Sequence, residues 1–163
     1  MSGQNMKSVL IAGCSAHGIS TVLAQELIKR NHFVIIAVPD TSSVSKDISA
    51  LPAVQVIALD PKSPTSVSKA AEAVTSATEE RGIHGLDVLI NDVGVGNSVA
   101  LLDIMMDSAR DEYDSKVEEA LGVGVAFADL LGRRGGRIVN MSSAGVFIAA
   151  PCMRPLLGTI LFL

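Results

Sequence analysis

The chain has 163 residues and a mass of 16.9 kDa, with 48% apolar and 18% charged residues and a net charge of −4. This length predicts a single domain, and the apolar-rich, charge-poor composition excludes an intrinsically disordered chain. The acidic balance and an aromatic content of 3% argue against a general nucleic-acid binder, which needs a basic face and stacking side chains. A mean hydropathy of +0.43 is high for this length, because a small domain needs polar cover.

The predicted secondary structure alternates strands and helices. Five β-branched apolar runs bounded by Gly, Pro, Asn or Asp predict strands at 8–12, 33–38, 54–59, 86–90 and 137–141. Apolar residues at helical spacing predict helices at 19–30, 64–81 and 107–131, with a weaker one at 44–51. Ser63 suits the N-cap of the second long helix, and Pro64 suits its first position. The alternation predicts a parallel α/β sheet, whose two-sided burial explains most of the high hydropathy.

The termini and cysteines predict a cytoplasmic setting. Residues 1–7 lack the basic and apolar regions of a signal peptide. No apolar run reaches the roughly 18 residues of a spanning helix, so we expect no membrane span. Two cysteines, Cys14 and Cys152, make no disulfide framework, and we find no metal-ligand spacing.

A glycine-containing turn, Gly13-Cys-Ser-Ala-His-Gly-Ile-Ser20, follows the first predicted strand and opens the first predicted helix. Glycine permits a tight turn there, and the helix N-terminus offers unpaired N–H groups and a partial positive charge. The strand–loop–helix context favours phosphate binding, while an ordinary connection between strand and helix is the alternative.

Four segments together resemble the short-chain dehydrogenase/reductase (SDR) family, closest to its fungal acyl-dihydroxyacetone-phosphate reductase-like and polyketide ketoreductase branch. These segments are residues 13–20, Leu59-Asp60, residues 86–94 and residues 136–145, and the likeness runs from about residue 8 to 151. The resemblance implies a Rossmann-like, doubly wound sheet of five strands in order 3-2-1-4-5, within three α/β/α layers. It also implies that residues 1–163 form one truncated domain lacking the family's C-terminal part, with 151–163 as a divergent apolar tail.

The resemblance further implies a site for NADP or NAD. The loop would hold the cofactor pyrophosphate, Asp60 would contact the adenine, and Asn91 would line the adenosine ribose and brace the sheet. The cofactor-binding positions that it implies are Gly13, Ser15, Gly18, Ile19, Asp60, Asn91 and Gly94.

Several positions depart from the family pattern. The loop ends His17-Gly18-Ile19-Ser20 where this branch usually has Gly-Gly-Ile-Gly, and Pro39 replaces an Arg that would meet a 2′-phosphate. The usual Asn-Asn-Ala-Gly turn is Asn91-Asp92-Val93-Gly94, which adds a carboxylate beside the nicotinamide ribose region.

The active-site set departs most. Ser143 matches the serine that hydrogen-bonds the substrate carbonyl, but Leu156 and Ile160 stand at the family's Tyr and Lys, and Lys116 at its helix Asn. Leu and Ile cannot donate or tune a proton, so ordinary carbonyl reduction lacks its proton donor. Either the site has diverged, or the reading frame leaves the pattern after Pro151. The departures upstream of that residue favour divergence.

Four side chains are candidates for catalysis: Ser143, Asp92, Lys116 and His17. Asp92 and Lys116 would face the same crevice, as base and acid or as a structural ion pair. Ser143 would otherwise cap a turn, and His17 would otherwise be an exposed loop residue. Tyr113, on an apolar helical stripe, is predicted to pack in the core.

Three functions remain open, and the sequence does not decide whether the chain is an enzyme. The first is non-redox chemistry, a cyclisation, isomerisation or dehydration of an apolar natural-product-like intermediate. The second is NAD(P)-dependent carbonyl reduction with an atypical proton donor. The third is a non-catalytic subunit acting through oligomerisation. We also expect a second copy or a refolded tail to cover the apolar edge of the fifth strand.

Overall fold

The computed structural model describes residues 6–13, 18–92 and 103–142. Five strands form one parallel sheet in the order β3-β2-β1-β4-β5. The strands are β1 Ser8–Ala12, β2 Phe33–Val38, β3 Val54–Ala58, β4 Val88–Asn91 and β5 Arg137–Asn140. The predicted parallel α/β sheet and its strand order are confirmed.

Helices connect these strands. They are α1 Ile19–Lys29, α2 Lys46–Ser49, α3 Pro64–Glu79, α4 Met106–Tyr113, α5 Glu119–Ala126 and α6 Ala128–Gly132. The predicted cap of α3 is confirmed, because the Ser63 hydroxyl accepts a hydrogen bond from the Ser66 amide at 3.3 Å and Pro64 opens the helix. The longest described helix, α3, has 16 residues, and none within the described ranges is long and apolar enough to cross a membrane.

The helix predicted at 107–131 is interrupted in two places. A π-helical segment, Asp114–Glu118, separates α4 from α5, and Phe127 leaves helical geometry between α5 and α6. The additional residue of a π turn rotates the preceding helix face by about 100° relative to the following one. The prediction that Tyr113 packs in the core is therefore wrong, since its apolar stripe assumed continuous helical spacing and Tyr113 is 39% exposed.

The core lies on both faces of the sheet. Leu10 and Leu89 pack towards α3, α5 and α6 on one face, while Ile11 and Ile90 pack towards α1 and α2 on the other. All residues of β1 and β2 are buried, as expected for central parallel strands covered by helices on both sides. Side chains at successive strand positions therefore enter opposite helical layers.

The edge at β5 carries exposed apolar side chains. All four residues of β5 are exposed, and Ile138 lies beside the exposed Leu121 and Val125 of α5. Coverage of this edge by a second copy or by the tail stays a prediction, because residues 143–163 lie outside the described part of the chain.

Two leucines on neighbouring helices allow the packing to be tested. Leu130 of α6 is 4% exposed, so Leu130→Ala should lower the free energy of unfolding by about 2–5 kcal/mol through lost burial and a cavity. Leu121 of α5 is 59% exposed, so Leu121→Ala should change it by less than about 0.5 kcal/mol. Urea denaturation measures both, and equal losses would contradict the described core.

Candidate functional site

The candidate site lies where the carboxyl ends of β1 and β4 meet. Strands β1 and β4 are neighbours although the chain leaves β1 in the other direction, towards β2, which makes this the topological switch point of the sheet. Open α/β sheets bind ligands in the crevice at such a point. Gly13 follows β1 with a φ of 90°, in the left-handed region that favours glycine, and its amide donates to the Ala37 carbonyl at 3.0 Å.

A hydrogen bond between Ser20 and Asp92 closes one side of this crevice. The hydroxyl of Ser20, in the first turn of α1, donates to the carboxylate Oδ2 of Asp92, directly after β4. Ser20 is buried, and burial raises the pKa of Asp92. The first turn of α1 contains no acidic residue, and its cap residue Gly18 has no side chain. Asp92 therefore supplies an anion to a helix N-terminus, where the partial positive charge favours one.

A buried ion pair lies near the crevice on the α4–α5 run, the helical stretch from Met106 to Ala126. Lys116 Nζ is 2.5 Å from Glu112 Oε1, and the two side chains are only 10% and 1% exposed. The second oxygen of Glu112, Oε2, has no hydrogen-bond partner among the described residues. Lys116 lies within the π-helical segment, a kind of irregularity that is frequent at functional sites.

Asn91 fastens the end of β4 to its neighbours. Its Nδ2 donates to the Asn140 Oδ1 of β5 at 2.9 Å and to the Ala120 carbonyl of α5 at 3.4 Å. These bonds provide the bracing that the family resemblance implies for this position. A role in binding ribose stays a prediction.

The structure gives Asp92 and Lys116 separate partners. Asn91 points towards α5, so Asp92, the next residue, turns to the opposite layer and meets α1. Lys116 lies one helical turn before Ala120 and pairs with Glu112. The two groups that the sequence offered as an acid and base, or as one ion pair, are thus held in different hydrogen-bonded units.

The remaining predicted positions divide into described and undescribed ones. Asp60 organises its own turn, since its Oδ1 accepts from the Lys62 amide at 3.1 Å and its own amide donates to Ser66 Oγ at 3.0 Å. Ile19 is 70% exposed at the start of α1. Ser143, His17, Ser15, Gly94, Leu156 and Ile160 lie outside the described residues, and their roles stay predictions.

Sequence reasoning missed two carboxylates. Glu112 stands four residues before Lys116, and that spacing alone indicates an ion pair on a helix. Asp40 directly follows Pro39 after β2, and its carboxylate accepts from the Ser42 hydroxyl at 2.7 Å and the Ser42 amide at 2.9 Å. Both hydrogen bonds hold the pKa of Asp40 below its usual value, and the bond from the Ser42 hydroxyl has the larger effect. A carboxylate about 20 residues beyond a glycine turn is where Rossmann folds bind ribose hydroxyls.

The raised pKa of Asp92 predicts a pH signature. Folding favours its protonated form, so its contribution to stability is full below the unfolded pKa of about 4 and is lost as pH rises through the folded pKa. Relative to wild type, Asp92→Asn should become more stable as pH rises from 3 to 7, in urea denaturation series. Asp40→Asn is the matched control, and it should show the opposite trend because the pKa of Asp40 is lowered. Parallel trends would contradict the assignment.

Breaking the buried pair should be costly. Lys116→Met leaves the Glu112 carboxylate buried without its cation, and we expect unfolding free energy to fall by about 3–5 kcal/mol. The double variant Lys116→Met/Glu112→Leu should recover most of this loss, because no buried charge remains.

The exposed pair of Arg30 and Glu26, at 2.8 Å, is the control for that experiment. Arg30→Met should cost less than about 1 kcal/mol, since solvent screens this pair. A Lys116→Met variant as mild as Arg30→Met in chemical denaturation would show that the Lys116 pair is not buried.

Comparisons with known proteins show which family the sequence of this chain matches. Residues 7–155 match the family described as short chain dehydrogenase. The chain is 30% identical over 138 residues to Short-chain dehydrogenase cctT of Talaromyces islandicus, which covers 85% of this chain and 47% of that protein. It is 29% identical over 146 residues to Short-chain dehydrogenase srdE of Neurospora crassa, covering 89% of this chain and 48% of that protein. The chain thus spans about half the length of these relatives.

Solved structures share the fold. A short-chain dehydrogenase from Streptomyces avermitilis superposes with a TM-score of 0.82 at 23% identity, covering 96% of this chain and 56% of the other. A short chain dehydrogenase from Burkholderia cenocepacia in complex with NADP gives a TM-score of 0.81 at 22% identity, covering 96% of this chain and 61% of the other. Sequence match and strand order agree, and this chain belongs to the short-chain dehydrogenase/reductase family.

Proposed function

We propose that this chain is a small-molecule enzyme that uses the SDR scaffold for proton transfer rather than for redox chemistry. Its reaction would be a cyclisation, isomerisation or dehydration of an apolar, natural-product-like intermediate. The observation that carries the proposal is the hydrogen bond between Ser20 and Asp92 at the start of α1.

That hydrogen bond bears on whether a dinucleotide fits. A Rossmann-type site places the cofactor pyrophosphate at the N-terminus of the first helix. Here the carboxylate of Asp92 already lies at that turn, and its negative charge would repel a pyrophosphate. The described residues of this turn therefore do not fit the cofactor well, and no step of the proposed reaction involves one.

Asp92 is suited to move protons. Burial raises its pKa, so it keeps its proton to a higher pH than an exposed aspartate and comes closer to the range useful for acid–base catalysis. A carboxylate that takes a proton from one carbon and returns it to another shifts a double bond without net electron transfer. Ser143, at the family's carbonyl-binding position, would donate a hydrogen bond to the substrate oxygen.

The remaining candidates have supporting places in this scheme. Lys116 would have an indirect role, because its ammonium is held by the carboxylate of Glu112. His17 would add a group that titrates near neutral pH at the mouth of the loop. Leu156 and Ile160, at the family's Tyr and Lys positions, would leave the site without the usual proton donor.

A second candidate is NAD(P)-dependent carbonyl reduction. It is favoured by the glycine turn at Gly13 and by the relatives, which are named as dehydrogenases. In that case Asp40 would bind ribose hydroxyls and repel a 2′-phosphate, so NADH would bind more tightly than NADPH.

Product mass separates the two candidates. We expect the purified chain, incubated with an extract of apolar metabolites, to give products of unchanged mass or of mass lower by one water. Asp92→Asn should slow product formation by about 100-fold or more, because it removes the proton-transfer group. Liquid chromatography with mass spectrometry measures both rates. Products heavier by two hydrogens that require NADH would favour the reductase.

Cofactor titration is the control. Without a dinucleotide site, neither NADH nor NADPH at millimolar concentration should raise the melting temperature of the wild type. The double variant Ser20→Gly/Asp92→Asn restores a family-like glycine and removes the carboxylate. It should bind NADH or NADPH more tightly than the wild type does. Strong stabilisation of the wild type by either cofactor would contradict the proposal.

A further inference from the structure

A groove separate from the crevice lies between α3 and the α4–α5 run. Its volume is about 700 Å³, within the range of about 300–1,000 Å³ typical of small-molecule sites. Val67 and Ala71 of α3 and Ala126 of α5 contribute apolar surface to its walls, and all three pack against the hydrophobic core. The groove therefore rests on rigid elements of the fold.

Carboxylates dominate the polar part of this groove. Among the described residues, Asp111, Asp114, Glu118 and Glu119 line it, together with one lysine, Lys62. All four lie on the helical stretch from α4 to α5, which forms one wall of the groove. An excess of negative charge around an apolar pocket favours a cationic ligand.

Glu119 provides the second and independent observation. Its side chain is only 10% exposed, and its Oε1 has no hydrogen-bond partner among the described residues. The nearest cation, Lys62 Nζ, is 4.0 Å away, which is too far for a hydrogen bond, and the Lys62 side chain is 67% exposed. A buried carboxylate oxygen that accepts no hydrogen bond raises the free energy of the folded chain. A ligand that donates a hydrogen bond to this oxygen would remove that penalty and so bind favourably.

The electrostatic setting of Glu119 agrees with this geometry. Burial raises the pKa of Glu119, Lys62 opposes that shift, and the nearby carboxylates of Asp60 and Asp114 add to it. A bound cation would favour the ionised carboxylate and lower its pKa again.

The chemistry of the site points to an organic cation rather than a metal ion. Within the described ranges, no group of three or more His, Cys, Asp or Glu side chains is arranged to hold a metal. The apolar wall also offers little to a hydrated ion but covers hydrocarbon well. We propose that this groove binds a small organic amine or guanidinium compound, with its cationic head on Glu119 and its hydrocarbon part against Val67, Ala71 and Ala126.

Lys62 acts as an internal competitor in this site. Its ammonium forms a long ion pair with the Glu119 carboxylate, at 4.0 Å and without a hydrogen bond, and its side chain is largely exposed to solvent. A ligand with a better-placed donor would displace it. Removing the Lys62 charge should therefore strengthen binding of a cation, whereas removing the Glu119 charge should weaken it.

Benzylamine tests the proposal, because it joins an ammonium to an apolar ring. Isothermal calorimetry should show that it binds the whole chain, while benzyl alcohol, of similar shape but neutral, binds at least about tenfold more weakly, as expected for the loss of a charge-assisted hydrogen bond. Glu119→Gln should lose about tenfold in benzylamine affinity, and Lys62→Gln should gain affinity. Glu79→Gln, at an exposed position outside the groove, is the matched control and should bind as wild type does.

Several outcomes would overturn the proposal. They are equal binding of benzylamine and benzyl alcohol, no detectable benzylamine binding, or equal affinities for wild type and Glu119→Gln. Preferential binding of Mg²⁺, or of an arginine-containing peptide while benzylamine fails, would also overturn it. Circular dichroism of Glu119→Gln checks folding, and a Lys62→Gln variant that gains affinity supports the site without altering Glu119. None of these results depends on the reaction proposed for the crevice.

Discussion

Burial of the parallel sheet on both faces is the constraint on which the rest of the structure depends. Every side chain of β1 is buried, so neighbouring β4 must send its own side chains alternately into two closed helical layers. At the end of β4 this alternation separates two consecutive polar residues. Asn91 bonds to α5 and β5, whereas Asp92 bonds to Ser20 of α1. One side of the crevice therefore belongs to the helical layer that contains α5, and the other side belongs to the layer that contains α1.

The two sides stabilise a buried carboxylate in different ways. On the α1 side, Asp92 has a hydroxyl partner at the positive end of a helix, but burial raises its pKa and so favours the protonated form. On the α4–α5 side, Glu112 has a full cation in Lys116, but one of its oxygens has no hydrogen bond among the described residues. The first arrangement leaves a carboxyl that can exchange its proton, whereas the second ties up both charges. This difference supports the proposal that Asp92 transfers protons and that Lys116 has a supporting role.

The elements that local sequence controls were predictable, and those that depend on distant contacts were not. Continuous apolar runs identify β1 and β2, and the Ser63 cap follows from side-chain chemistry within one turn. The π-helical segment has no local apolar signature, so the exposure of Tyr113 could not be foreseen. The partner of Asp92 is 72 residues away in sequence, and only the closed sheet brings Ser20 to it. The ion pair of Glu112 and Lys116 could have been predicted, because the two residues are four positions apart on a helix.

The positions at which the family resemblance implies cofactor contacts lie within the half of the family fold that this chain spans. The glycine turn after β1, the residues after β2 and β3, and the end of β4 all lie before residue 93, whereas the family's Tyr and Lys positions come after residue 150. The hydrogen bond on which the proposed charge conflict rests joins two residues that both precede β5. A scaffold with a TM-score of 0.82 to a dehydrogenase still leaves its chemistry to individual side chains, because fold alone does not determine function. In the proposed function Ser20 and Asp92 are those side chains, because their hydrogen bond places a carboxylate at the start of α1.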